Sequence, residues 1–577
     1  MKSLLPSRIP SFGYLNIAQF LGAMNDNIFK LLIGYLLIEL EGVDASQRIL
    51  AIAGGIFVIP FLLFSSLGGS FADRYSKRNV IIWVKGLELV VMLSGVLTVW
   101  YESKEGCFGV LFLMATQSAL FGPSKYGIVP EIVESERLSR ANGLLSSLTY
   151  LAIIIGTFLA SFMVDITGGD YILAASFCAV IAALGFIASF GIEYTPPAGS
   201  CEAINPVVIR QIYHNIQEAK KTPSLLTAML GSAFFLFIGA FLQLNIIPFA
   251  IQSLHLTSTQ GGYLFLLTSL GIGTGSVISG KLSGKYIELG LVPLGACGIV
   301  FGLLGMDYYS ESLPMIVFLV TFTGVLAGIY LIPLDTYIQV ASPARSRGQM
   351  LASTNFLGFN GVLLASAFVY VLAEVFTVKA DKGFTVMAII VFAMLIFMFW
   401  SLSRYTIRFF GMVLSRFFFR ISLSGSESIP RDIPAVLFCR HSSWSDSILL
   451  MGTQRRCLSF IKDYGDHSPD WKTYFYRLLR IIPAPKHMHL YEDPESLKLI
   501  KENLEKEISV CIYLNHLPED NDIEKLKICL HELIGDQYPM LSVMIQKHPK
   551  ADPERVWEKP MSKLRIPAFV SFGPLTS

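Results

Sequence analysis

Residues 68–78 read Gly68-Gly69-Ser70-Phe71-Ala72-Asp73-Arg74-Tyr75-Ser76-Lys77-Arg78. An apolar stretch lies on each side, 48–68 before and 79–100 after. Each is about the 20 residues that carry a helix across a bilayer. A short connector of this kind joins two membrane spans on one side of the bilayer. Its glycines let the two helices approach closely. Asp73, with Arg74 and Arg78, is suited to latch the ends of neighbouring helices, and Gly69 is the closest-approach position. A plain positively charged loop is the simpler reading of the same residues.

Working outward, apolar stretches recur at 13–38, 48–68, 79–100, 107–124, 143–165, 171–193, 227–251, 261–281, 288–306, 314–336, 349–372 and 384–403. They predict a twelve-helix, all-α membrane domain over 1–404. Composition agrees: 53% of residues are hydrophobic and 15% charged, against roughly 25% charged in soluble domains. A net charge of +2 gives no reason to expect a nucleic-acid partner. The eight cysteines are scattered without CxxC or metal-ligand spacing, so free thiols are expected, with no metal and no cofactor. Lys2 and Arg8 precede the first apolar stretch with no small-residue cleavage site, which marks that stretch as a retained span.

Arg and Lys concentrate in the loops on the N-terminal side, among them Arg74, Lys77, Arg78, Arg137, Arg140, Lys220, Lys221, Arg345 and Arg347. The opposite loops carry Arg48, Lys104, Lys379 and Lys382. The asymmetry places both termini in the cytosol. The linker 196–225, opening on Pro196-Pro197 and Gly199, divides the spans six and six, into halves 1–195 and 226–404. Two such bundles enclose a central substrate cavity. Gly275 to Lys285 (GSVISGKLSGK) closes the eighth span as residues 68–78 close the second, a weak internal repeat.

Ionisable residues inside spans cost a few kcal/mol each on insertion scales and mark functional positions. The first span holds Asn25-Asp26-Asn27, the third holds Lys85 and Glu88, and Lys125 stands at the end of the fourth. Lys85 and Glu88 are one helical turn apart and can pair, either as a self-neutralising structural pair or as part of a site. Gln243 and Asn245 in the seventh span and Gln339 near the tenth add uncharged polar groups.

The segment 68–78 resembles the signature loop of the major facilitator superfamily. QFLGAMNDN (19–27), FGPSKYGIVPE (121–131), ERLSRANGL (136–144), IPLDTYIQ (332–339) and LASTNFLGFN (351–360) resemble, in this order and spacing, the bacterial lysophospholipid transporter family. The resemblance covers roughly 1–400. It implies a multi-pass protein of the bacterial inner membrane, surrounded by membrane lipids. Such a protein moves lysophospholipid, of the lysophosphatidylethanolamine type, from the outer to the inner leaflet. It further implies that Asp26 meets an ammonium and Lys125 a phosphate, with the uncharged polar groups lining the path and the acyl tail lying along apolar helix faces.

Beyond the last span, residues 405–577 read as a cytosolic α/β domain. Tyr405 to Arg420 sets Arg408, Arg416 and Arg420 among phenylalanines, an amphipathic segment suited to the membrane interface. A strand-like run, 435–439, leads into Arg440-His441-Ser442-Ser443-Trp444-Ser445-Asp446. His441 and Asp446 have the His-x4-Asp spacing in which a base takes a hydroxyl proton and a carboxylate holds the imidazole. On a continuous helix, five steps would set the two side chains about 140° apart, so His441 is expected in the turn before a helix that Asp446 begins. His531 and Asp536 share the spacing, but the preceding DNDIEKLKICL reads as a helix.

With 470–486, 508–513, 538–545 and 565–577, this arrangement resembles the glycerophospholipid acyltransferases. The resemblance implies an acyl donor, acyl-carrier protein or acyl-CoA, and a separate acyl-carrier-protein synthetase as partner. One departure stands out: Tyr513 to Asp520 lacks the family's Phe-Pro-Glu-Gly block. Two readings therefore remain open, a transporter coupled to an acyltransferase and a transporter with a catalytically inert domain.

Overall fold

In a computed structural model, the described residues are 11–42, 46–200, 208–284, 287–425, 433–439, 445–453, 456–464, 481–485, 490, 493–506, 508–513, 520–547 and 566–574. The chain divides into two compact units, one ending at Ser401 and the other beginning at Leu402.

Among the described residues of the first unit, twelve helices are long and apolar enough to cross a membrane. In order they are α1 (Ser11–Glu41), α2 (Ser46–Arg74), α3 (Lys77–Trp100), α4 (Lys104–Ile132), α5 (Leu138–Ile166), α6 (Tyr171–Ser189), α8 (Leu225–Gln252), α9 (Ser258–Ser283), α10 (Leu291–Tyr308), α11 (Leu313–Ala341), α12 (Arg347–Tyr370) and α13 (Ala380–Ser401). Several, among them α2 and α4, outrun their apolar cores by a turn or more, because helical hydrogen bonding continues into the polar ends. Pro60, Pro123, Pro130, Pro248 and Pro333 lie inside helices, where neighbouring spans re-satisfy the freed backbone groups. The expected linker holds a helix of its own, α7 (Val208–Lys221). Its Asn215 donates to Ser353 Oγ at 2.8 Å and to Gln349 Oε1 at 3.3 Å on α12. Lys285, at the end of the internal repeat, lies outside the described residues.

The second unit is a three-layer α/β sandwich. Its strands are β1 (Phe419–Ser424), β2 (Val436–Cys439), β3 (Leu458–Tyr464), β4 (Ile481–Pro485), β5 (Ser509–Tyr513), β6 (Met540–Lys547) and β7 (Ile566–Pro574). They form one sheet in the order β1-β7-β6-β2-β5-β3-β4. Neighbours run parallel except β6 and β7. The central strands β2 and β5 are buried along their whole length, as expected for a parallel sheet covered on both faces. Leu437, Cys439, Cys511 and Tyr513 pack on one face with Leu449 and Leu450 of α15 (Ser445–Thr453). Val436, Phe438, Val510 and Ile512 pack on the other with Ile500 and Leu504 of α16 (Pro494–Glu505) and Leu526 and Leu530 of α17 (Asp520–Ile534). Ahead of β1, α14 (Ser403–Phe418) buries Arg408 and Ser415 and exposes Phe410, Val413, Leu414 and Phe417.

The segment 68–78 is not a loop. Gly68 to Arg74 forms the last turns of α2, and α3 begins at Lys77. The helix persists because its glycines sit at helix crossings. A Cβ on Gly69 would lie 2.7 Å from the Gly348 carbonyl oxygen and 2.8 Å from Ala352 Cβ, and one on Gly348 would lie 2.6 Å from the Gly69 carbonyl oxygen. Asp73 uses this contact. Its Oδ1 accepts from the Gly348 N–H at 2.6 Å and its Oδ2 from the Gln349 N–H at 2.9 Å. These are the N2 and N3 donors of α12, and Ser346, the residue before that helix, supplies no side-chain cap. The cap therefore comes from the other half of the bundle, a task N-terminal residues usually perform locally.

Around it, Lys77 pairs with Glu131 at 2.6 Å, and Arg78 Nε donates to the Ile192 carbonyl at 2.9 Å. These contacts lie within one half. Gly69→Val is expected to force α2 and α12 apart, costing roughly 1–3 kcal/mol. It should lower the melting temperature in detergent and speed thiol labelling of a Ser66→Cys reporter in a chain whose native cysteines are replaced. Unchanged melting and labelling would show that the close approach is dispensable.

Candidate transport site

The interior of the membrane unit holds two neighbouring cavities. The larger, ≈200 Å³, is lined by Asp26 and Gln19 of α1, Lys85 and Glu88 of α3, and Gln117, Ser118 and Lys125 of α4. The smaller, ≈130 Å³, is lined by Tyr150 of α5, Ser232 of α8, Asp335 and Gln339 of α11 and Thr354 of α12. Tyr126 and Asn355 border both, so the pair of cavities spans the seam between the halves.

The first-half polar groups form a linked set. Lys85 Nζ donates to Glu88 Oε2 at 2.6 Å, with both side chains almost fully buried. Gln117 Nε2 donates to the same oxygen at 3.1 Å. Ser118 Oγ donates to Asp26 Oδ2 at 2.6 Å. Asp26 Oδ1 and Glu88 Oε1 are buried with no hydrogen-bond partner, so both carboxylates keep acceptor capacity unused. Lys125 lies over the Tyr126 ring at 4.6 Å and makes no ion pair among the described residues. A ring face stabilises a cation without neutralising it.

Sequence and structure differ at several positions. Lys125 stands not at the end of its span but within α4, which runs through Pro123 and Pro130 to Ile132. Asn25 is fully buried, lines neither cavity, and has no partner for either side-chain polar atom. Gln243 is exposed. Asn245 is buried but donates to the Ala380 carbonyl at 2.8 Å, tying α8 to α13. Residues two apart on a helix point about 200° apart, so Gln243 and Asn245 were never able to face one cavity together, and neither lines the site. Gln339 does line it, exchanging hydrogen bonds at 3.0 Å in both directions with Asn142 of α5. Gln117, Ser118, Lys30 and Asp335 went unassigned in the sequence. Asp335 and Lys30 carry the same signal that marks Asp26, an ionisable group inside an apolar run.

In the second unit, Asp446 lies in the first turn of α15, fully buried, after the carboxyl end of β2. Ligand sites of open α/β sheets gather at that end of the strands. His441 and 514–519 lie outside the described residues. His531 is in the last turn of α17, a helix as expected. Burial beside Cys439 pushes the Cys511 thiol well up, so it stays protonated core filler.

Residues 15–366 match the Major Facilitator Superfamily. The chain belongs to this superfamily. Among similar proteins, the lysophospholipid transporter LplT of Klebsiella pneumoniae (strain 342) is 27% identical over 367 residues, which is 62% of this chain and 87% of that protein. LplT of Serratia proteamaculans (strain 568) is 27% identical over 371 residues, 62% and 86%. Among solved structures, the human organic anion transporter MFSD10 aligns with a TM-score of 0.55 at 16% identity, covering 67% of this chain and 100% of that one. A bacterial homologue of the iron transporter ferroportin, in an outward-facing state, aligns at 0.55 and 13%, covering 69% and 100%. Both likenesses are of fold.

Removing one partner of a buried ion pair strands the other charge. Lys85→Ala is therefore expected to lower unfolding stability in detergent by ~3–5 kcal/mol, and Lys85→Met combined with Glu88→Met to recover much of it. A single variant as stable as the parent would mean that Glu88 is answered by something other than Lys85.

Proposed function

We propose that this chain carries lysophospholipid from the outer to the inner leaflet of the bacterial inner membrane, with both termini cytosolic, and that its second unit reacylates the lipid. The observation that supports transport is a cavity of paired and unpaired charges at the seam of two six-helix halves, in a chain whose membrane unit is 27% identical to lysophospholipid transporters. A lysophospholipid needs a charged cavity for its head and an apolar wall for one tail. Lys125, without an ion pair among the described residues, suits the phosphate. The stacked rings of Phe61 and Phe359, 4.0 Å apart on α2 and α12, offer an apolar wall where the halves meet. Asp26→Asn should reduce uptake of lysophosphatidylethanolamine into spheroplasts by about tenfold, the scale of one charge-assisted contact, at unchanged expression. Normal uptake would make Asp26 a structural residue.

Reacylation is supported by a mostly parallel sheet whose buried central strand β2 precedes His441 in sequence and by the buried carboxylate of Asp446 at the start of the next helix. In this reading His441 takes the proton of the glycerol hydroxyl as its oxygen attacks the acyl thioester of acyl-carrier protein or acyl-CoA; the C–S bond breaks, the carrier thiol leaves with that proton, and Asp446 holds the imidazole throughout. Tethering raises the local concentration of transported lipid at the acyltransferase site without any new contact. The altered segment after β5, without the Pro-Glu-Gly block, favours instead an inert domain on a working transporter. Acyl transfer to lysophosphatidylethanolamine by the purified chain separates the two. His441→Ala should cut transfer by ~10²–10⁴ with uptake intact, whereas a parent chain that transports but transfers nothing is the inert-domain outcome.

A further inference from the structure

Asp335 lies in α11, inside the second half, and lines the smaller cavity with Ser232, Tyr126 and Asn355. Ser232 Oγ donates to Asp335 Oδ1 at 2.7 Å. That bond orients the carboxylate, and no ion pair engages it among the described residues.

The two first-half carboxylates have partners within their own half. Glu88 has Lys85 and Gln117. Asp26 has Ser118, and both Lys85 and Lys30 act on its charge. The cation acting on Asp335 is Lys125, which belongs to the opposite half. Among the described residues the cavities thus hold Lys125 without an ion pair in the first half and Asp335 without one in the second, with Tyr126 and Asn355 common to both cavities.

We propose that Asp335 is the amine-recognising residue of the headgroup site: its carboxylate binds the primary ammonium of an ethanolamine-type headgroup while Lys125 takes the phosphate. This assignment rests on the transport reading above and gives the amine to the second half rather than to Asp26. A zwitterionic head fits because it brings both counter-charges at once. When phosphate engages Lys125, Asp335 loses the cation that acted on it, and the ammonium replaces that cation. A head ending in glycerol brings the anion alone and leaves the Asp335 carboxylate facing added negative charge. The arrangement thus favours amine-bearing lysophospholipids over anionic ones, and it makes the bound head a bridge between the halves.

The test is competitive uptake of lysophosphatidylethanolamine and lysophosphatidylglycerol by proteoliposomes holding the full chain. Asp335→Asn, equal in size and uncharged, should lower the ratio of ethanolamine to glycerol lipid uptake by roughly 10- to 100-fold, the worth of one hydrogen bond to a charged group. Ser232→Ala, which leaves the carboxylate but removes its orienting donor, should move the ratio in the same direction by a smaller factor, and it serves where Asp335→Asn fails to express. A ratio unchanged from the parent in the variants that express overturns the assignment, as does an equal loss for both lipids. A parent chain that moves neither lipid overturns the transport reading itself, and this assignment with it.

Discussion

A charge inside an apolar slab has to face something that answers it, and that requirement sets the rotation of the helices around the cavity. Helix α3 displays the rule most fully. Its outer stripe is Trp83, Leu87, Val90, Leu93 and Leu97, all exposed, while Lys85 and Glu88 on the inner side are almost fully buried. Rotating α3 by half a turn would place an ammonium and a carboxylate against hydrocarbon, at a few kcal/mol each, and bury a tryptophan where Gly22 of α1 now makes room for Lys85. Asp26 fixes α1 in the same way through Ser118 of α4. The polar groups thus orient the helices as well as line the cavity.

The joint between the halves obeys a different economy. The first backbone N–H groups of any helix lack intrahelical acceptors, and at α12 two of them are satisfied by Asp73 of the opposite half. Hydrogen bonds to a charged group are worth about 1.5–3 kcal/mol each, enough to hold a joint and small enough to release it. The glycine contact makes the geometry nearly all-or-none. With Gly69 and Gly348 against each other's carbonyl oxygens the cap is made, and once the helices part both the donors and the carboxylate need water. Lys77 and Arg78, bonded within their own half, keep the end of α3 in place whether or not the joint is closed.

Much of this was legible in the sequence. Twelve apolar runs gave twelve spans because a run of that length has few other stable fates. The acid at 73 was legible as a latch because it stands beside glycines at a span end, although the connector itself proved helical. Other features had no such signal. Helix α7 is amphipathic but, at 14 residues, too short to register as a span, and it follows Pro196-Pro197 and Gly199. Lys125 was misplaced because two prolines look like a helix end, whereas packed membrane helices carry them. Counting polar residues in a span does not say which way they point, which is why Gln243 and Asn245 drew notice and Asp335 did not.

Helix α12 joins these parts. Its first turn receives Asp73, and one to three turns on, Asn355 borders both cavities and Phe359 lines the larger one. Six residues of helix separate Gln349 from Asn355, about 9 Å at 1.5 Å per residue, too short and too regular a path to absorb a displacement by bending. Whatever grips Asn355 and Phe359 therefore acts on the same rigid element whose end Asp73 holds. A ligand shifts such a joint only by the difference in its affinity for the two arrangements. A headgroup that reaches one charge in each half has that difference built in, because its full set of contacts exists only at one separation of the halves.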